Sequence, residues 1–169
     1  MLFTLILLTI FGVIMFATKK VMEFLPNIHL LGMFVVLLTV VFRSRALISV
    51  YVYVFLDGAF SGFALWWLPY LYIWTVLWGM VMLLPRKMPD KVAFFVYPLI
   101  CGFHGLIFGI LYAPGEALLF GLSFKEMISW IAFGAVFDVI HAVSDFCMGF
   151  LVLPLSKPLL KMKKRSILG

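Results

Sequence analysis

The chain has 169 residues, 66% of them hydrophobic and only 12% charged, with a net charge of +6. Average soluble domains are roughly half apolar and about a quarter charged, so too little polar side chain is present to cover a water-facing surface. That balance excludes a soluble enzyme, a coiled coil and a disordered chain, and predicts an all-α, polytopic membrane protein with one domain over 1–169.

A helix needs about 20 apolar residues to cross the hydrocarbon core. Six stretches fit, at 2–18, 24–42, 46–60, 63–84, 92–113 and 128–153. No basic region precedes the first and no small-x-small cleavage site follows it, so it reads as a retained span rather than a signal peptide. Glu23-Phe-Leu-Pro26-Asn27-Ile-His29 then joins the first two spans. Pro26 suits a helix start and Glu23 or Asn27 could cap it. A cap does not need His29 as well, which points to a short gate over an outward pocket.

Asp57, near the outer end of the third span, belongs to the same layer. Alternation in Tyr51-Val52-Tyr53-Val54 is strand-like, but a lone strand cannot satisfy its backbone in lipid, so a helix is expected. The fourth span opens with Trp66, Trp67, Pro69, Tyr70, Tyr72, Trp74 and Trp78. Some of these suit an interfacial belt. Trp67, Tyr70, Trp74 and Trp78 also step at three and four residues, which would make a wall for a flat or cationic ligand.

In the fifth span His104 stands within Gly102-Phe-His-Gly105-Leu-Ile-Phe-Gly109, whose glycines form a small-residue face for close helix packing. The sixth span carries Asp138, His141 and Asp145 at i, i+3 and i+7, one face of a helix. His104 and His141 each lie twelve residues from the inner end of their span, about 18 Å at 1.5 Å per residue, and are expected to face each other. Ionisable groups at this depth are costly unless paired or hydrated. The stripe is either a ligand or ion site, or a hydrogen-bond network tying the last two spans together. Cys101 and Cys147 are isolated and read as small buried hydrophobes. Glu116 and Glu126 read as solvated charge.

Orientation follows from the basic residues. Arg43, Arg45, Arg86, Lys87, Lys91, Lys157, Lys161, Lys163, Lys164 and Arg165 fall on one side, and only Lys19, Lys20 and Lys125 on the other. The positive-inside rule therefore places both termini in the cytoplasm, with the tail 157–169 as an anchor at anionic headgroups. Basic residues spread between apolar runs serve topology, and nucleic acid is not expected as a partner. No phosphate-binding glycine loop, metalloprotease helix or nucleophile elbow is present, so the chain is not expected to hydrolyse ATP by itself.

Together, Phe24-Leu-Pro26-Asn27-Ile-His29-Leu, Leu65-Trp-Trp67-Leu-Pro69-Tyr70-Leu-Tyr-Ile-Trp74 and Phe137-Asp138-Val-Ile-His141 give a chain that resembles the S components of energy-coupling-factor (ECF) transporters. The resemblance runs nearly end to end. It implies a non-enzymatic substrate-capture subunit in a prokaryotic cell membrane, without a cofactor of its own. Such a subunit binds a small vitamin-like or heterocyclic micronutrient and works with a transmembrane coupling subunit and two ATPase subunits. Carried over, the gate is Asn27 and His29, and the pocket walls are Trp67, Tyr70, Trp74, His104, Asp138 and His141. Asp57 and Asp145 join them from the residue reading above. The family's docking surface on the first helix often reads Ala-x-x-x-Ala, and here the nearest small positions are Thr9, Gly12 and Ala17. Two rival readings stay open. One is an intramembrane metal-dependent enzyme using His104, Asp138, His141 and Asp145, and the other is a scaffolding protein in which the stripe only joins helices.

Overall fold

The computed structural model describes residues 2–168, with side chains as far as Lys164. The Arg165 side chain, counted above in the basic tail, lies outside the described residues, as do Met1 and Gly169. The described residues form helices and no strand: α1 (Leu2–Val21), α2 (Leu31–Phe42), α3 (Leu47–Ser61), α4 (Tyr70–Met82), α5 (Asp90–Leu106), α6 (Phe108–Phe120), α7 (Phe124–Gly149) and α8 (Val152–Leu168). α5 and α6 are two halves of one rod, broken at Ile107 (φ −94°, ψ 5°). Six helical units and a tail helix result, and among the described residues five helical stretches, with 31–61 counted as one, are long and apolar enough to cross a membrane.

α2 is the centre of the bundle, with every residue buried except Val40. An all-round apolar helix must be enclosed by others, and its unbroken Leu, Val, Phe and Met run has that character. α3 follows after a turn in which Arg43 takes φ +57°, and it packs on α1 and α4. Two bonds from α4 lock that turn: Arg43 Nη2 donates to the Met82 carbonyl at 2.7 Å, and Trp78 Nε1 donates to the Arg43 carbonyl at 3.2 Å. α1 lies on α3 at Gly12, where a Cβ would fall 2.6 Å from Val52 Cβ. The Ser49 hydroxyl donates to the Leu8 carbonyl across the same seam at 2.7 Å. The outward faces carry Phe3, Ile6, Phe55, Phe95, Phe133 and other large exposed apolar side chains, as a lipid-facing surface requires.

Several boundaries depart from the sequence reading. The second crossing helix begins at Leu31 rather than at 24, and it has no side-chain cap. Pro26 and Asn27, with Asn27 at φ +59°, instead turn the chain through short bonds such as Leu25 N–H to Met22 O at 2.9 Å. The Glu23 side chain pairs with Lys20 at 3.0 Å and does not cap α2. The fourth span starts as one tight turn at Leu65–Trp67, and Pro69 delays the helix proper to Tyr70. The fifth extends over 90–120 as α5 and α6. The last span ends at Gly149, and α8 is a separate helix held across the basic end by Lys157–Asp90 (2.7 Å) and by Lys163 donating to the Val41 carbonyl (2.7 Å). Glu126, expected to be merely solvated, closes a capping box with Ser123 at the start of α7. Cys101 is buried as expected, but Cys147 faces outward.

α5 and α7 form the most extensive helix pair. A Cβ at Gly105 would lie 2.9 Å from the Ala142 backbone nitrogen, and one at Gly102 would lie 3.2 Å from the Ala142 carbonyl oxygen. The glycines of α5 therefore meet the His141–Ala142 backbone and Phe146 of α7, which brings the two helices into close contact.

Candidate functional site: a buried histidine–carboxylate chamber

At the end of the bundle opposite the termini, residues 22–29 fold down as a non-helical roof. Beneath it is a chamber of about 150 Å³, lined in part by Lys19, Asn27, His29, Tyr53, Tyr70, Trp74, Phe108 and His141. Irregular backbone at membrane depth survives only where protein or a cavity surrounds it, which this segment achieves by packing into the mouth of the bundle.

Two histidines that line the chamber, His29 and His141, form an imidazole–carboxylate cluster with the fully buried Asp145 behind them. His29 and His141 stack edge to face with ring centroids 4.7 Å apart. Asp145 Oδ2 lies 3.3 Å from His141 Nε2, and Asp145 Oδ1 lies 3.9 Å from His29 Nδ1. Neither Asp145 oxygen, nor His29 Nδ1, nor His141 Nε2, has a hydrogen-bond partner among the described residues, although all four atoms are buried. The carboxylate fits because position 32 is glycine: a Cβ there would come within 2.3 Å of Asp145 Oδ2. A neutral imidazole in either position keeps one nitrogen lone pair for a ligand.

The remaining expected residues occupy distinct places. Asn27, Tyr70 and Trp74 line the chamber with the two histidines. Asp57 is fully buried and held by Lys19 at 2.7 and 2.8 Å, so it reaches the chamber only through that ammonium. Trp67 donates to the Val54 carbonyl at 2.8 Å and packs on Phe63, away from the chamber. Trp78 is at the basic end. Of the four-residue aromatic stripe, only Tyr70 and Trp74 form a wall.

His104 sits behind Trp74, its Nε2 3.2 Å from the Ile73 carbonyl oxygen. His104 and His141 both pack on the Phe108 ring, and the imidazole stacked on His141 is His29. Asp138 turns to the break in the long rod, where its Oδ1 accepts from the Gly109 N–H at 3.0 Å. It also borders a lateral groove of about 280 Å³ with Asn27, Phe108, Tyr112 and Trp130. The proposed metal set of His104, Asp138, His141 and Asp145 thus does not converge. Among the described residues, the three whose ligating atoms all lie within 4.8 Å of one another are His29, His141 and Asp145.

Lys19, Tyr53 and Phe108 are lining residues that the sequence reading did not select. Tyr53 and Asp57 stand at i, i+4, as do His104 and Phe108, so helical spacing from a residue already chosen would have found two of them.

No protein-family profile matches the chain, and no curated protein or solved structure shows significant similarity to it.

Proposed function

We propose that the chain is the substrate-capture subunit of an importer of the ECF type in a prokaryotic cell membrane. It takes a small polar micronutrient into the chamber and delivers it with a coupling subunit and two ATPases. The observation that carries this reading is the chamber itself, a cavity lined by both polar and apolar side chains in an apolar bundle and roofed by the non-helical residues 22–29. A roof held by turn bonds and by side chains moves without opening any helix ladder, and binding elements come from such low-stability segments. Below it the walls are fixed by the glycine-mediated α5–α7 seam. A ligand enters by the roof, contacts Tyr70, Trp74 and the histidine cluster, and is enclosed when the roof returns. This division into rigid walls and a movable roof serves capture, and the chain needs no chemistry of its own to perform it.

The chamber is small beside the roughly 300–1,000 Å³ of sites for drug-sized ligands, which favours a compact solute. The test is to purify the protein in mild detergent, extract it with solvent and acid, and identify bound organic molecules and metals by mass spectrometry. The same preparation is examined for coupling and ATPase subunits expressed with it. A stoichiometric solute together with such a complex is expected. A protein that binds no solute and assembles with no ATPase refutes the reading.

A further inference from the structure

We infer that His29, His141 and Asp145 form a binding site for a borderline divalent transition-metal ion such as Zn²⁺, Co²⁺ or Ni²⁺, bordering the chamber. This rests on the capture reading and names its cargo.

Geometry is the first support. Ligands about 2.0–2.1 Å from a tetrahedral ion stand roughly 3.3 Å from each other. Asp145 Oδ2 and His141 Nε2 are 3.3 Å apart, Asp145 Oδ1 and His29 Nδ1 are 3.9 Å apart, and all the ligating atoms fit within 4.8 Å. The second support is what these atoms lack: each is buried without a hydrogen-bond partner among the described residues. The two Asp145 oxygens face only imidazole nitrogens, at 3.3 and 3.9 Å and without hydrogen-bond geometry, and a buried carboxylate so placed is costly unless a cation joins it. Lys19 does not supply that cation, because both Asp57 oxygens hold it.

Donor chemistry narrows the occupant. Two imidazole nitrogens with one carboxylate suit zinc, cobalt, nickel, copper and ferrous ions, whereas magnesium and calcium prefer oxygen alone. Gly32 completes the arrangement, since any side chain at that position would displace the Asp145 carboxylate.

The experiment uses tag-free, full-length protein in mild detergent, stripped with chelator, desalted and titrated with Zn²⁺ by calorimetry and with Co²⁺ by visible absorption. One equivalent is expected, with the intense absorption of a four-coordinate cobalt site. Removing a metal-orienting residue typically costs 10–100-fold in affinity, so His141→Ala and Asp145→Asn should each lose on the order of 100-fold or more. Asp90→Asn, which breaks only an exposed pair at the opposite end, should leave the titration unchanged. Should a ligand variant fail to fold, the wild-type stoichiometry decides alone, and less than a tenth of an equivalent overturns the assignment. Unchanged affinity in both folded ligand variants also overturns it. If the protein carries a stoichiometric organic solute and takes no metal, the metal site falls and capture stands. If it binds metal but assembles with no ATPase and cells expressing it accumulate none, the site stands and the importer reading falls.

Discussion

Replacing Asp138 tests whether the broken rod depends on a side chain from its neighbour. The Gly109 N–H follows the break at Ile107 and donates to Asp138 Oδ1 at 3.0 Å. In Asp138→Ala that buried amide loses its acceptor, a desolvation cost of about 1–3 kcal/mol. Asp138→Asn keeps a carbonyl oxygen in place and loses only the charge assistance, roughly half of the bond's strength. Gly109→Ala approaches the same contact from the other side, since its Cβ would fall 2.3 Å from Asp138 Oδ2 and push the carboxylate off the amide. The double variant Gly109→Ala/Asp138→Ala has no carboxylate to displace, so its cost should be well below the sum of the two single costs. The assay is equilibrium unfolding in mixed detergent micelles, read as a double-mutant cycle. Additive costs, or an Asn variant as unstable as the Ala variant, would refute the capping role.

Lys19→Met should destabilise by about 3–5 kcal/mol, because it leaves the fully buried Asp57 carboxylate unpaired, while Lys19→Met/Asp57→Leu should recover most of that loss in the same unfolding assay. Gly105→Ala drives a methyl against α7 backbone and should cost about 1–3 kcal/mol or more. Gly79→Ala meets nothing within 4 Å and should gain roughly 0.5–1 kcal/mol, and thermal melting separates the two. In a background lacking Cys101 and Cys147, Ser123→Cys should react with a membrane-impermeant maleimide on intact cells. Lys164→Cys should react only after permeabilisation, and the reverse pattern would invert the assigned orientation.

The apolar runs and the 138, 141, 145 spacing were legible because both are local. A helix puts i, i+3 and i+7 on one face whatever surrounds it, and the glycines of α5 announced a close helix approach, which α7 makes. The roof was not legible. Residues 24–30 are apolar enough to read as helix, and only the left-handed Asn27 after Pro26 shows that the chain turns there instead. Trp67 was misplaced for a related reason, since its step to Tyr70 is helical in spacing while Pro69 keeps it off the helix. The partner of His141 was beyond reach too. His104 shares its depth, but His29 arrives from a segment with no periodicity, and only the folded chain brings the two rings together.

Asp138 and Asp145 show how one repeated pattern separates into two environments. They stand seven residues apart on one helix face, and each carboxylate lies where a glycine leaves room for it, Gly109 for the first and Gly32 for the second. Those glycines are in the first turns of α6 and α2, whose partial positive charge favours an anion. From there the two diverge. Asp138 accepts a backbone amide and borders a groove, so its presence is explained by the rod it caps. Asp145 is completely buried, accepts nothing among the described residues, and faces two imidazoles across 3.3 and 3.9 Å. A structural acid would be satisfied by the fold that retains it. Asp145 is the acid that this fold encloses without a hydrogen-bond partner among the described residues, so it is Asp145 rather than Asp138 on which the proposed metal site rests.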